Sequence, residues 1–188
     1  MLKSLHYSKE LLRTLITQFP DGSFIDATLG KGNDLISILT HPNFTGLVLG
    51  FDIQAEAIKT TQERTNTQLF NGDYRLIHDS HANLVNYIDH KKLLNGAIFN
   101  LGYLPGGDHS ITTQANSTLL AIEEISHRLV KGGQIIIVVY SGHPSGQSEK
   151  DALFQTLVDY PQEEFQVLQY EFINQRNNPP MVIVIEKR

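Results

Sequence analysis

A chain of 188 residues and 21.1 kDa has the length of one domain, and 40% hydrophobic residues supply a sizeable core. Fifteen Lys and Arg against 20 Asp and Glu leave a net charge of −5 and a pI near 5.9, which excludes a protein that coats nucleic acid by bulk positive charge. The absence of cysteine excludes a disulfide framework, a thiolate zinc site and a cysteine nucleophile together. His6, His41, His90, His127 and His143 have no metal-ligand spacing, so no metal is expected. The opening MLKSLHYSKELLRTL is broken by Lys3, Lys9, Glu10 and Arg13, and no later stretch approaches the roughly 18 apolar residues that span a bilayer. A soluble cytoplasmic protein without a membrane segment is the expectation, and with no repeat or linker in the chain, residues 1–188 are read as a single domain.

In chain order, Tyr7, Leu11, Leu12, Leu15, Ile16 and Phe19 recur at three-and-four spacing and predict an amphipathic helix, ended by the turn Pro20-Asp21-Gly22. An apolar run at Phe24 to Ala27, a helical stretch from Asn33 to Leu39 and a second run at Leu47 to Ile53 then form a β-α-β unit. The alternation continues with a helix over 55–67, a strand around 74–78, a helix near 84–90 and a strand at 96–101. Gln134 to Tyr140 reads QIIIVVY, apolar nearly throughout, as strands covered on both faces must be. A helix at about 149–158 precedes two strand candidates, 165–172 and 181–186, which have no helix between them and must pair as a hairpin. The prediction is an α/β, doubly wound, Rossmann-like sheet of seven strands, mostly parallel with a C-terminal antiparallel hairpin. By fold-level analogy, this resembles the class I S-adenosylmethionine methyltransferases.

The chemistry has to come from the loops at one sheet edge. After the first strand stands Asp26-Ala27-Thr28-Leu29-Gly30-Lys31-Gly32-Asn33-Asp34, a glycine turn that opens a helix and lets backbone approach a ligand closely. Leu35 occupies the place of the third glycine of a dinucleotide fingerprint, and a negative Asp34 argues against phosphate. It suits a cationic amino group, such as the one S-adenosylmethionine carries beside its sulfonium. Asp52, about 20 residues on at the end of the second strand, is placed to accept from both hydroxyls of an adenosine ribose, with Gln54 in support. His78-Asp79-Ser80-His81 closes the third strand with polar groups where an adenine would lie, and Asp79 or Ser80 is the expected contact. Taken singly, Asp26 and Asp34 read equally as helix caps, Gly30 and Gly32 as a turn and Asp52 as a solvated strand end. Together, at successive strand ends, they converge on the crevice where such folds bind nucleotides.

The fourth strand runs into Asn100-Leu101-Gly102-Tyr103-Leu104-Pro105-Gly106-Gly107-Asp108-His109. An amine that is to be methylated must present its lone pair, and an Asn side-chain oxygen can accept its N–H bonds and aim it. Tyr103 reads as a base-stacking ring or as packing. Asp108 and His109 are candidates for taking the amine's proton, or are turn and surface residues.

DATLGKGND, the FD before Ile53, HDSHANL and FNLGYLPGGDHSITT, in this order, resemble a family first described under the label rRNA methylase and now understood as tRNA 5-(aminomethyl)-2-thiouridine methyltransferases of the wobble position. The resemblance spans essentially the whole chain. It implies a homodimeric class I enzyme that transfers methyl from S-adenosylmethionine to the aminomethyl nitrogen, with the tRNA anticodon stem-loop as substrate. It further implies that Gly30, Lys31, Asn33 and Asp34 surround the methionine part of the cofactor, Asp52 and Gln54 the ribose, and Ser80 and His81 the adenine. Asn100, Leu101, Gly102 and Tyr103 would line the transfer site, and residues 105–109 the nucleoside entry. An RNA substrate asks for local cations in an acidic chain. A dimer that pools basic patches would supply them; Lys91-Lys92, otherwise a solvated helix end, and the Arg176 loop, otherwise a bare hairpin connection, are the candidates. The rival readings are methylation of a base's exocyclic amine, because DATLGKGND also looks like the first motif of the cytosine-N4 rRNA methyltransferases, and a non-catalytic cofactor-binding module. The former chains carry a large inserted domain, for which 188 residues leave no room.

Overall fold

Neighbouring residues of a strand face opposite sides of the sheet, and in the central strands both sides are apolar, so those strands have to be covered twice. The computed structural model describes residues 1–102, 113–140, 144–176 and 178–188. Among them, β1 (Ser23–Asp26), β2 (Leu47–Asp52), β3 (Asp73–His78), β4 (Leu94–Leu101), β5 (Leu129–Val139), β6 (Phe165–Tyr170) and β7 (Met181–Lys187) form one sheet in the order β3-β2-β1-β4-β5-β7-β6. Strands β1 to β5 pair in parallel, and β7 runs antiparallel between β5 and β6. This is the Rossmann-like methyltransferase architecture expected from the pattern, with β6, the first strand of the expected hairpin, at the edge.

The two-residue period sorts the core into two layers. Phe24, Val48, Ile98, Ile136 and Val138 face one side, under α1 (Ser4–Gln18), α2 (Asn33–Leu39) and α3 (Ala55–Thr65). Ile25, Leu49, Phe99, Ile135 and Ile137 face the other, under α4 (Ala115–Arg128) and α5 (Pro144–Leu157). Each such side chain, removed from water, is worth about 1.5–3 kcal/mol, so the layers rather than helix propensity hold the α-helices in place. Among the described residues no helix is long and apolar enough to cross a membrane.

Three elements differ from the sequence expectation. The helix expected near 84–90 is a 3-10 turn over His81–Asn86, capped by the Ser80 hydroxyl, which accepts the Ala82 N–H. The carbonyls of Asp89 and His90 accept from the buried Arg128 guanidinium instead of from a helix. Strand β5 starts at Leu129 rather than Gln134, because Leu129 pairs with Leu94 across an irregularity and Gly132 takes a left-handed φ of 77°. Helix α4 went unread, although Ala121, Ile122 and Ile125 are buried at helical spacing; two of its inward positions are the polar Thr118 and Ser126, which blur the apolar stripe.

Gly50 on β2 shows how tightly the sheet supports the first loop: a Cβ there would lie 2.6 Å from Leu29 Cδ1 and 2.9 Å from Leu35 Cδ1. Both neighbours belong to the packed layer beneath that loop. Gly50→Ala is therefore expected to cost about 2 kcal/mol through overpacking, a fall of roughly 4–8 °C in Tm for a domain of this size, read by thermal unfolding.

Candidate functional site

Strand β1 pairs with β2 on one side and β4 on the other. The chain leaves β1 for α2 on one face and leaves β4 for α4 on the opposite face. The point between those strand ends is where open α/β sheets bind ligands.

The first loop is built by two glycines with left-handed φ, 51° at Gly30 and 73° at Gly32. Gly32 also has no room for a side chain, since a Cβ would meet Thr61 Cγ2 at 2.5 Å. Asp52, at the end of β2, clamps this loop to the next: its Oδ2 accepts the Gly30 N–H at 2.8 Å and its Oδ1 accepts the Gln54 N–H at 2.9 Å. Each carboxylate oxygen keeps capacity for a further donor from the cavity side. The other side of the turn is braced from α3, where the Arg64 guanidinium donates to the Lys31 carbonyl and to Asn33 Oδ1.

A cavity of about 470 Å³ lies between the loops, within the size range of small-molecule sites. Of the residues expected to bind or react, Gly30, Asp52, Gln54, Asp79, Ser80, His81 and Asn100 line it. Four others stand off its wall: Asp26 is buried beneath the loop, Asp34 is half-buried behind Asn100, and Lys31 and Asn33 are exposed on the Arg64 side. Tyr103, Asp108 and His109 lie outside the described residues, as do the other residues of 105–109. The sequence reading passed over Thr28, Ile53 and the start of α4, where Asn116 and Ser117 reach the wall. Ile53 carried a signal: an apolar residue directly after the strand-end acid, 55% exposed, has something other than the core to cover.

Four carboxylates gather here. Asp26 is 1% exposed; its Oδ2 accepts the Leu35 N–H at 3.0 Å, and among the described residues its Oδ1 has no well-formed hydrogen bond, the Thr28 N–H only pulling weakly on the carboxyl. Burial, then the charges of Asp34 and Asp52, hold its pKa well above the ordinary carboxylate range. Burial also raises Asp34, against the opposing pull of the Asn100 side chain and Lys9. Asp79 is the contrary case, lowered by donors from the Asn83 side chain, the Tyr87 hydroxyl and the Ser80 amide. Asp79 and Ser80 thus hold the 3-10 turn in addition to facing the cavity. His81 Nδ1 sits 2.9 Å from the Ala27 carbonyl, which only accepts, so Nδ1 carries the proton. Burial lowers its pKa and keeps the ring neutral, and the bare Nε2 is buried without a partner.

The second loop is tied to the first. The Asn100 N–H donates to Thr28 Oγ1 at 2.7 Å, and Asn100 Nδ2 donates to Asp34 Oδ2 at 2.8 Å. Further on, the ends of the segment after β4 meet: the Gly102 N–H donates to Thr113 Oγ1 and the Thr113 N–H to the Gly102 carbonyl, both at 3.0 Å. Buried Glu149 of α5 receives the Thr113 hydroxyl at 2.6 Å.

Residues 48–186 match the family described as "Putative rRNA methylase". The chain belongs to that family. Among solved structures, this rRNA-methylase chain is similar to a "putative rRNA-methylase" of Clostridium thermocellum, with 37% identity and a TM-score of 0.93 over 100% of this chain and 99% of the other. It is also similar to a "putative methyltransferase" of Streptococcus mutans solved in complex with SAH, with 36% identity and a TM-score of 0.85 over the whole of both chains. Among curated proteins it is 30% identical over 171 residues to the chloroplastic tRNA (mnm(5)s(2)U34)-methyltransferase of Arabidopsis thaliana, covering 87% of this chain and 62% of the plant protein. It is 33% identical over 84 residues to ribosomal RNA small subunit methyltransferase H of Halothermothrix orenii, 44% of this chain and 26% of that one. The chain thus spans less than two thirds of the length of the curated relatives it matches.

The raised Asp26 gives a measurable signature. Its native form holds a proton to higher pH than its unfolded form, so its burial costs nothing below the unfolded pKa and destabilises the ligand-free protein progressively as pH rises toward the folded value. Asp26→Asn keeps an oxygen for the Leu35 N–H and cannot ionise. The variant is expected to melt above the wild type at about pH 8, with the gap closing toward about pH 4, in parallel thermal scans of the ligand-free proteins. A constant gap across that range would refute the assignment.

Proposed function

We propose that the chain is an S-adenosylmethionine-dependent RNA methyltransferase that methylates the aminomethyl nitrogen of 5-aminomethyl-2-thiouridine at the tRNA wobble position, giving 5-methylaminomethyl-2-thiouridine. The observation that carries this reading is the Asn100 amide, anchored by its nitrogen to Asp34 and facing the cavity at the switch point. A methylase family and the activity printed for the plant relative support the same class of reaction. A homodimer in the cytoplasm that takes the anticodon stem-loop belongs to the same reading.

The residues present fit the cofactor. Its ammonium and sulfonium are cations, and the cavity is lined by the carboxylates of Asp52 and Asp79. Asp52 would hold the ribose hydroxyls, Gln54 supports it, and Ile53 offers the cavity an apolar face for the adenine beside Asp79 and Ser80. Gly30 would lie along the methionine part, with Lys31, Asn33 and Asp34 shaping the turn around it. The bound cofactor supplies a methyl group activated by the positive sulfur.

What remains for the protein is alignment and deprotonation. An alkylammonium has no lone pair, and transfer from water into a largely apolar cavity favours its neutral form. Asn100 Oδ1 accepts an N–H of the neutral amine and aims its lone pair at the methyl carbon. The amine's pair forms the N–C bond, the C–S pair returns to sulfur, and the new secondary ammonium releases a proton to solvent. Tyr103, Asp108 and His109 complete this reading as a stacking ring and proton acceptors at the nucleoside entry.

The test is nucleoside mass spectrometry on tRNA carrying 5-aminomethyl-2-thiouridine, incubated with the protein and S-adenosylmethionine beside unmodified tRNA and rRNA. Gain of one methyl on that nucleoside is expected. Gain on an rRNA base amine would favour the chemistry of the Halothermothrix orenii relative instead, and no gain on any RNA would favour a cofactor-binding module. Asp52→Ala should weaken S-adenosylhomocysteine binding by about 100-fold through two lost charge-assisted bonds. Asn100→Ala should leave that affinity within about threefold and lower kcat on the order of 100-fold. Calorimetry and single-turnover kinetics read the two effects, and equal loss of binding in both variants would overturn the division of roles.

A further inference from the structure

We propose that Asp34 is a positioning residue that fixes which way round the Asn100 amide stands, so that Oδ1 and not Nδ2 meets the acceptor amine; this rests on the function proposed above. An Asn amide has two nearly isosteric ends, and only its hydrogen-bond partners decide which end points where. The backbone of Asn100 is fixed by the bond from its N–H to Thr28 Oγ1 at 2.7 Å. The remaining freedom, the rotation that exchanges Oδ1 and Nδ2, is removed by the 2.8 Å bond from Nδ2 to Asp34 Oδ2. An ionised carboxylate only accepts, so it takes the NH₂ end and leaves the carbonyl end for the cavity, which Asn100 lines and Asp34 does not. Burial raises the pKa of Asp34, and the Asn100 bond itself, then Lys9 on α1, oppose that rise in favour of the charged form.

The orientation matters chemically. With Oδ1 outward, the amide accepts an N–H and leaves the amine's lone pair for the methyl carbon. With Nδ2 outward, it would donate to that lone pair and withdraw the electrons the new bond needs. The same inversion would leave the cofactor pocket unchanged, which separates this role from a cofactor contact.

The experiment compares wild type, Asp34→Asn, Asn100→Asp and the exchange of the two, Asp34→Asn with Asn100→Asp, for kcat and KM on tRNA carrying 5-aminomethyl-2-thiouridine. S-adenosylhomocysteine affinity and Tm are measured on each. Asp34→Asn offers an N–H to Asn100 and permits the inverted amide, so kcat should fall roughly 30- to 100-fold with KM and S-adenosylhomocysteine affinity within about threefold. In the exchanged protein the amide at 34 donates to a carboxylate at 100 whose second oxygen accepts the amine, and kcat should recover at least about tenfold over Asp34→Asn. Asp34→Asn with unchanged kcat, a parallel loss of cofactor affinity, an exchange no better than the single variant, or a Tm below the assay temperature would each overturn the proposal.

Independently of any substrate, the Asn100 side-chain NH₂ of the wild type should show one strongly downfield, slowly exchanging proton in ¹⁵N–¹H spectra that Asp34→Asn abolishes. Its absence from the wild type also overturns the proposal. Failure of the wild type to methylate that tRNA, with the amide signal present, would instead overturn the proposed function and leave the orientation standing.

Discussion

The position of β1 between β2 and β4 is the constraint on which the rest depends. Because β1 leads to α2 on one face and β4 to α4 on the opposite face, a gap lies between their ends, where open α/β sheets bind ligands. Among the described residues, beyond the backbone bond from the Ala27 N–H to the Ile98 carbonyl, the gap is crossed by the Asn100 N–H bonded to Thr28 Oγ1 and by Asn100 Nδ2 bonded to Asp34 Oδ2. Asn100 thus stands where the two halves of the sheet are stitched together.

The glycine loop has the shape of a phosphate cradle and the opposite polarity. A helix N-terminus with free amides attracts anions, but here the Gly30 amide is given to Asp52 and the Leu35 amide to Asp26, while the Gly32 amide bonds the Leu29 carbonyl. The donors that would bind phosphate are consumed by carboxylates of the protein itself. What lines the cavity instead is Asp52 and Asp79, with Asp26 and Asp34 behind its wall. Lining carboxylates favour a cationic ligand over a phosphate, so the acids around this loop turn a common backbone shape toward a different class of ligand.

The seven strands and the closing antiparallel hairpin were legible in the sequence, because a run such as QIIIVVY leaves few alternatives, whereas α4 was not, its inward stripe being broken by Thr118 and Ser126. The glycine turn and Asp52 were also legible: backbone close approach and a strand-end acid at fixed spacing are local features. The 3-10 turn at His81–Asn86 was not, since its end is set by Arg128, about forty residues on, which takes the Asp89 and His90 carbonyls. Nor was the pairing of Asp34 with Asn100, which lie 66 residues apart. Read locally, Asp34 is an acid near a cofactor's ammonium and Asn100 an isolated amide. Only the parallel register of β1 with β4 puts them in contact.

The acidic balance of the chain is compatible with the RNA substrate proposed for it when charge is counted by sheet edge rather than by chain. Leu101 pairs with Val139 and Val139 with Met181, so the connection before β7, which carries exposed Arg176, stands at the same edge as Asn100. Exposed Lys31 and the Arg64 that grips its carbonyl are at the glycine turn of that edge. Lys91 and Lys92 precede Leu94 at the other end of β4, roughly 23 Å away at the rise of a parallel strand. Within one chain, the register therefore places the Arg176 loop, and not the lysine pair, at the edge that carries Asn100. On the function proposed above, presenting one nucleoside to the half-buried Asn100 needs a few phosphate contacts around the mouth, not a basic face, and a net charge of −5 spread over the remaining surface does not oppose them at distances beyond a Debye length.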